Sequence, residues 1–407
     1  MKTRREFLGS VSAAAAIAAL PRGSSALGSI AEWSGDPLGV RPDFPVVDEG
    51  IYLDGAYITP SPRQAVEAAQ AFLARKASQP VSLGDMLAET NEARSKFARI
   101  VGASAPEVGM LFATSDGENI ITRALDFAPG DNVVIDDLHY ETTFILYRQL
   151  AESAGLEVRT VRNVDGEAPV EAFAELVDDR TRLISVAWVS HQNGYRHDLR
   201  GLADLAHAHG AYLYADAIQG MGMLDLDVKD VGIDFLTSGT YKWLLGGYGV
   251  APFYVREELL DAVGVDRWGS LQIEQDLGEH RYRLYEDGRK YGYATLGFGA
   301  VYQLSAALDY LLGVGVPNVE AHTVGLARRL RDGLAAQGHR VLTPDGNRSA
   351  IVTFEHGQSV SRARADLEDA DIRVSLKEGG EQIRVGVALF NIQEEIDALL
   401  GLTSSWV

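Results

Sequence analysis

Short apolar runs alternate with amphipathic segments along the chain from about residue 100. The runs have the length of buried strands, and the segments between them repeat their apolar positions at the period of a helix. Strands and helices in alternation predict βαβ units around a mostly parallel sheet covered on both faces. The predicted strands are 109–113, 132–136, 157–161, 182–188, 211–216, 235–238 and 250–255, and the helices between them include 118–127, 143–154, 170–177 and 199–208.

The pattern changes after about residue 295. Two long amphipathic helices are followed by short strands and a last helix, which is typical of a separate α+β domain. We therefore predict a large α/β domain over residues 29–295, whose N-terminal segment packs on a smaller domain over residues 296–407. The predicted elements of this smaller domain are the helices 298–312, 319–337 and 393–400 and strands near 340–342, 351–354, 373–376 and 382–386.

Residues 1–28 are predicted to be an export signal. Arg4 and Arg5 precede an apolar stretch from Phe7 to Leu20, and small residues follow it, as in a secretory signal. The segment 3–8 further resembles a twin-arginine signal. The apolar stretch is shorter than the roughly 20 residues that span a bilayer. We expect a periplasmic or extracellular protein that keeps no membrane anchor once the signal is cleaved.

Composition narrows the chemistry. The 407 residues include 37 Lys and Arg against 57 Asp and Glu, a net charge of −20, which disfavours nucleic acid as a partner. The chain has no cysteine. Disulfides, thiolate metal sites and a cysteine nucleophile are therefore excluded, and we expect no metal centre.

Lys242 is the first candidate catalytic residue. It follows the predicted strand 235–238 and precedes a glycine-rich turn, so it lies at the sheet edge where α/β folds bind ligands. A partly desolvated lysine there has a lowered pKa and forms a Schiff base with an aldehyde. Asp216 ends the preceding predicted strand, 26 residues before Lys242. A carboxylate beside such a lysine suits pyridoxal phosphate, because it keeps the ring nitrogen protonated.

A third candidate element is the segment Ser115, Asp116 and Gly117, between a predicted strand and a predicted helix. Small residues at the beginning of a helix expose backbone N–H groups to a phosphate. We assign all three residues to cofactor binding, although Asp116 would have to point away from the phosphate or cap the helix.

Together these elements resemble the class V aminotransferase family, which includes cysteine desulfurases, isopenicillin N epimerases and kynureninases. Residues 52–56, Tyr-Leu-Asp-Gly-Ala, resemble the N-terminal "YLDNAA" segment of the family. The resemblance implies the aspartate-aminotransferase-like fold (fold type I), with pyridoxal 5'-phosphate as cofactor. The cofactor-binding residues that it implies are Tyr140 (or His139) on the ring, His191 and Gln219 at the phenolic oxygen, Asp216 at the ring nitrogen, Ser238, Tyr241 and the partner subunit's Thr295 at the phosphate, and Lys242.

The family resemblance also implies a homodimer and a small amino-acid substrate whose carboxylate is bound by Arg384. The substrate amine displaces Lys242 from its aldimine, and the freed lysine removes the Cα proton. Transamination, racemisation or epimerisation, and elimination at a C–S bond all remain open. A cysteine desulfurase that works by persulfide transfer is excluded, because that mechanism requires a mobile cysteine and the chain has none. The alternative is an exported, non-catalytic binding protein that keeps the fold.

Overall fold

The seven apolar runs between residues 108 and 255 form one sheet. The computed structural model describes residues 35–407, so the predicted signal over residues 1–28 lies outside the described residues. Most of these strand residues are buried, because helices cover both faces of the sheet. In chain order the seven strands are β2 (Val108–Leu111), β3 (Asn132–Asp136), β4 (Glu157–Val161), β5 (Thr181–Ala187), β6 (Tyr212–Asp216), β7 (Phe235–Thr237) and β8 (Ala251–Val255).

The strand order in this sheet is β2-β8-β7-β6-β5-β3-β4. Only β8 runs against its neighbours; the pairs from β7 to β4 are parallel. Ala187, Asp216 and Thr237 lie side by side across β5, β6 and β7. The predicted α/β fold with a mostly parallel, seven-stranded sheet is confirmed, and its register brings three strand ends to one edge.

Five helices connect these strands. Side-chain caps fix the start of two of them: Asp198 accepts from the Gly201 N–H, and Asp227 accepts from the N–H groups of Lys229 and Asp230. The first helix begins at Thr114, four residues earlier than predicted, because the small polar residues after β2 already adopt helical geometry. The five helices are α3 (Thr114–Ala124), α4 (Glu141–Ala154), α5 (Val170–Ala174), α6 (Leu199–Ala208) and α7 (Val228–Val231).

Two helices before residue 100 were not predicted from the sequence pattern: α1 (Arg63–Ser78) and α2 (Leu83–Ile100). Both pack against α8 (Phe298–Val314). Phe72 stacks on Tyr302 with ring centres 4.6 Å apart, and Lys96 donates to Ser305 Oγ at 2.8 Å. The N-terminal helices are thus held by a helix 200 residues further along the chain.

The C-terminal part holds a four-stranded antiparallel sheet, whose strands in spatial order are β11 (Arg340–Val341), β12 (Ile351–Glu355), β15 (Gln382–Gly386) and β14 (Ser375–Lys377). The predicted strand 373–376 is two strands, because its halves have different partners: β13 (Ile372–Arg373) pairs with β1 (Ile51–Tyr52), and β14 pairs with β15. A hairpin of β9 (Ile273–Asp276) and β10 (Tyr282–Leu284) was not predicted. The remaining elements are α9 (Val316–Gln337), α10 (Val360–Asp369) and α11 (Gln393–Thr403).

Residues 35–407 form one compact unit. The division of residues 29–407 into two domains at residue 295 stays a prediction. Over the same residues no single helix is long and apolar enough to cross a bilayer, and only α8 and α9 taken as a pair, bent by 77°, pass that test.

Candidate active site

A cavity of about 300 Å³ lies where strands β5, β6 and β7 end and helix α3 begins. Ligands bind at this edge of open α/β sheets, and a helix N-terminus beside it favours an anion. Several residues that were selected from the sequence line this cavity together, although they lie far apart along the chain, between residues 115 and 242. They are Ser115, Tyr140, His191, Asp216, Gln219, Tyr241 and Lys242.

Lys242 follows β7 and lies in the wall of this cavity, with its Nζ 5.9 Å from the centre of the Tyr241 ring. Loss of hydration and, to a smaller extent, the charge of Arg384 lower the pKa of Lys242 to about 8, against the opposite effect of Asp216. About a tenth of the amine is therefore neutral at pH 7, far more than for a lysine with the ordinary pKa of about 10.4. A neutral amine can attack an aldehyde or accept a proton.

Asp216 is the last residue of β6 and faces the same cavity. Desolvation raises its pKa to about 6, while a hydrogen bond from the Ile218 N–H to Oδ1 (3.0 Å) and the charge of Lys242 favour the carboxylate. A poorly hydrated carboxylate of this kind gains from a cationic partner such as a protonated ring nitrogen.

The beginning of α3 forms another wall of the cavity through Ala113, Thr114 and Ser115. Asp116 does not join them. Its Oδ2 accepts from the N–H groups of Phe112 and Ala113, and its Oδ1 lies 3.1 Å from Arg267 Nη2. The carboxylate of Asp116 thus caps the helix and binds an arginine, and the assignment of Asp116 to the cofactor stays a prediction.

Gly117 and Ser238 also lie outside the cavity wall. A Cβ at Gly117 would lie 1.9 Å from Thr237 Oγ1, so this glycine lets α3 pack directly on β7. The Ser238 hydroxyl donates to the Gly239 carbonyl at 3.1 Å. Thr295 is exposed and does not line this cavity either. The assignments of Gly117, Ser238 and Thr295 to the cofactor stay predictions.

Tyr140 lines the cavity, with its ring edge-on to His191 and the ring centres 5.1 Å apart. His139 is fully buried behind it. The His139 Nδ1 accepts from the Tyr140 N–H at 2.8 Å, and its Nε2 lies 3.4 Å from Ser185 Oγ. Of the two candidates for the residue on the ring, only Tyr140 reaches the cavity.

His191 and Gln219 differ in what they offer a ligand. The buried Nδ1 of His191 has no hydrogen-bond partner among the described residues, and desolvation lowers the pKa of His191 to about 3, so the ring is neutral. The amide of Gln219 is already engaged, since it donates to the Ala56 carbonyl (2.9 Å) and accepts from Trp243 Nε1 (3.0 Å). His191 is therefore the freer partner for a ligand oxygen.

Arg384 is buried behind the cavity wall, on strand β15. It donates to the His191 carbonyl (2.9 Å) and to Ser375 Oγ (3.2 Å), and its Nε has no partner among residues 35–407. It does not line the cavity itself. Its charge nevertheless acts on Lys242, which indicates that the two side chains are close.

Sequence reasoning missed several residues of the wall. Thr114, Thr143 and Tyr248 line the cavity, and Tyr248 stacks on Tyr241 with ring centres 4.7 Å apart. Glu118 also lines it and is 4% exposed. A glutamate in a helix after a polar turn carries no sequence signal for burial, so only the structure identifies it.

The wall fits pyridoxal phosphate. It combines a lysine of lowered pKa, a desolvated carboxylate, a free imidazole nitrogen and the beginning of a helix within one cavity. These groups match the aldehyde, ring nitrogen, phenolic oxygen and phosphate of that cofactor. Fold and site together define a pyridoxal-phosphate-dependent enzyme.

Comparison with known proteins identifies its family. The profile described as "Aminotransferase class-V" matches residues 51–399, so the chain belongs to the class V aminotransferase family. A relative named "Probable cysteine desulfurase", from Methanothermobacter thermautotrophicus, is 28% identical over 89% of this chain and 96% of its own.

Solved structures show the same fold. The apo structure of a cysteine desulfurase from Thermococcus onnurineus aligns with a TM-score of 0.82 at 24% identity, over 91% of this chain and 97% of that chain. A C-DES variant with glycine covalently linked to its pyridoxal phosphate cofactor aligns at 0.83 and 19% identity, over 90% and 99%. The expected cofactor is confirmed, and the protein is a pyridoxal-phosphate-dependent transferase or lyase.

One expectation is overturned. The absence of cysteine led us to exclude cysteine desulfurases, yet relatives covering 89% of the chain and the Thermococcus structure carry that name. The exclusion was wrong, because it treated one sulfur acceptor, a cysteine of the same chain, as a requirement of the whole reaction class.

Proposed function

We propose that this protein removes the sulfur atom of cysteine, using pyridoxal phosphate bound to Lys242 and a sulfur acceptor outside the chain. The observation that carries the proposal is Lys242: its amine lies in the cavity wall with a pKa lowered to about 8, and the charge of Asp216 acts on it. Such an amine can hold an aldehyde and, once released, take a proton from Cα.

The side chains around Lys242 bind and orient the cofactor and the substrate. Bound pyridoxal phosphate supplies the electron sink for the pair left at Cα. Asp216 holds the proton of the ring nitrogen, and the beginning of α3 at Thr114 and Ser115 receives the phosphate. Arg384 attracts the substrate carboxylate, and His191 orients the ring through its free Nδ1.

The substrate class follows from the relatives named cysteine desulfurases. The chain has no cysteine to accept the sulfur, so an external thiol takes it. In this reaction cysteine and the thiol RSH give alanine and the persulfide RSSH, with no other oxidant or reductant. The C–S bond of cysteine breaks, an S–S bond forms, and the substrate carbon gains the proton.

The test is incubation of the holoenzyme with L-cysteine and a small thiol, compared with a panel of L- and D-amino acids. We expect alanine and an equal amount of sulfide after reduction of the persulfide. The Lys242→Ala variant is the control and should release none. Keto acid from alanine or glutamate, or inverted stereochemistry without sulfur release, would overturn the proposal in favour of transamination or epimerisation.

The proposal includes a homodimer and export by the twin-arginine route. Thr295 is exposed and outside the cavity of its own chain, which suits a contact with the phosphate of a second copy. Tyr248 lines the cavity and is 61% exposed, so a second copy would cover an aromatic surface there. Arg4 and Arg5 before an apolar stretch support export.

A further inference from the structure

A second acid lies in the cavity beside Asp216. Glu118 is the fifth residue of α3, one turn after Thr114, and its side chain lines the cavity while being 4% exposed. Glu118 and Asp216 line the same cavity of about 300 Å³, and the charge of Asp216 raises the pKa of Glu118. No step proposed above uses Glu118.

Glu118 is held by hydroxyl groups from two neighbouring elements. Ser185 on β5 donates to Oε1 at 2.5 Å, and Thr143 on α4 donates to Oε2 at 2.9 Å. Over residues 35–407 Glu118 takes part in no ion pair with Lys or Arg. The titratable groups that face it are Asp216 and Tyr214 from β6, Tyr147 from α4 and, through Ser185, His139 from the turn after β3.

A buried carboxyl without a cation changes its charge easily within the working range of an enzyme. Desolvation raises the pKa of Glu118 to about 7, with a smaller contribution from Asp216, against the hydrogen bonds from Ser185 and Thr143. Two nearby carboxyl groups that both lack water avoid being charged together. The charge of Glu118 therefore changes when Asp216 binds a proton or a cationic group.

We propose that Glu118 is a positioning residue of the cofactor site, whose charge, acting together with Asp216, sets how firmly the ring nitrogen of pyridoxal phosphate keeps its proton. An anionic Glu118 strengthens the negative potential around Asp216 and favours the protonated ring; a neutral Glu118 weakens it. This inference rests on the cofactor and not on sulfur removal.

The alternative is a purely structural role, in which Glu118 only ties α3 to β5 and α4. Glu118→Gln separates the two, because glutamine keeps the shape and removes the charge; one acceptor oxygen becomes an NH2 donor, whose hydrogen bond a neighbouring hydroxyl group can accept. Glu107→Gln is the matched control. Glu107 is also buried and accepts a hydrogen bond from a serine, Ser104, but it lies outside the cavity and pairs with Lys229.

The experiment follows the visible absorption band of the holoenzyme as pH is raised from about 5 to about 9, without substrate. We expect an inflection within this range in the wild type and in Glu107→Gln. Glu118→Gln should lack it and keep at every pH the spectrum of the wild type at low pH. A wild-type titration curve in Glu118→Gln would overturn the proposal.

Ser185→Ala provides a second test that keeps the carboxyl group. The Ser185 hydroxyl stabilises the Glu118 carboxylate, so its loss raises the pKa of Glu118 and should move the inflection to higher pH. An unmoved inflection would also overturn the proposal, even if Glu118→Gln fails to fold. Because substrate is absent, these outcomes are independent of whether the enzyme removes sulfur from cysteine.

Discussion

At the scale of single residues, the charge of Arg384 lowers the pKa of Lys242. This coupling predicts how the rate of covalent cofactor binding depends on pH. Only the neutral amine attacks an aldehyde, so the rate at which apoenzyme binds pyridoxal phosphate covalently should rise with pH and level off above about 8. Arg384→Gln removes a charge that lowers the pKa of Lys242, so the inflection should move to higher pH. Arg384→Lys keeps the charge and should leave the inflection at the wild-type pH. Stopped-flow absorbance measures these rates. An inflection at the same pH in Arg384→Gln and in the wild type would contradict the coupling.

Asp216 is predicted to act on the ring and not on the covalent attachment. Asp216→Ala should still yield the reduced lysine adduct with borohydride, but its turnover should fall by roughly 100-fold or more, because an unprotonated ring nitrogen is a poor electron sink. Asp216→Glu should retain part of the activity. Mass spectrometry of the adduct together with steady-state rates checks both statements, and wild-type turnover in Asp216→Ala would show that the assignment to the ring nitrogen is wrong.

The sequence identified the residues at strand ends and missed those whose role depends on orientation. Lys242 and Asp216 each follow an apolar run, so their positions at the sheet edge were predictable. The direction of a side chain at a helix start is not contained in the local pattern. The sequence therefore left open whether Asp116 points away from the phosphate or caps α3, and Glu118 was overlooked because helical glutamates are mostly exposed.

At the scale of elements, the contact between α3 and β7 shapes the phosphate end of the cavity. Gly117→Ala should force the two apart, because its Cβ would lie 1.9 Å from Thr237 Oγ1. We expect a lower melting temperature and weaker cofactor binding, measured by thermal unfolding and equilibrium dialysis. Gly325→Ala in α9 is the control, since no atom lies within 4 Å of its Cβ and the change should stabilise the helix by up to about 1 kcal/mol. Equal effects of the two substitutions would contradict the close packing.

Elements with a strong local period were predictable, and those defined by distant partners were not. Strands β3, β4 and β15 and helix α6 have the bounds that the pattern predicts. The predicted strand 373–376 is divided because β13 pairs with β1, more than 300 residues away along the chain. Long-range pairing of this kind leaves no trace in the local alternation of apolar and polar residues.

At the scale of the whole molecule, a shared active site predicts complementation between defective subunits. Light scattering should give twice the mass of one chain. Lys242→Ala and Thr295→Ala subunits, mixed and refolded together, should recover about a quarter of the wild-type activity, because half of the dimers carry one complete site each. A monomer with full activity, or no recovery on mixing, would rule out the contribution of Thr295 to a neighbour.

Export is the other property of the whole molecule that the proposal must satisfy. Pyridoxal phosphate is made inside the cell, and the cavity that binds it is built from residues 115 to 242, so the chain must fold before it can be loaded. Bound cofactor then stabilises the folded form. The twin-arginine route carries folded proteins, whereas the general secretory route threads unfolded chains.

Arg4→Lys together with Arg5→Lys distinguishes these routes. The double variant keeps the positive charge that a general secretory signal needs, but it removes the arginine pair. We expect uncleaved, cofactor-loaded and active enzyme to accumulate in the cytoplasm, as fractionation with absorbance and activity assays would detect. The matched control is Lys2→Arg with Arg22→Lys, which makes the same number of charge-conserving changes outside the arginine pair and should leave export unchanged. Undiminished export of the double variant would mean that the chain crosses the membrane unfolded and binds its cofactor afterwards.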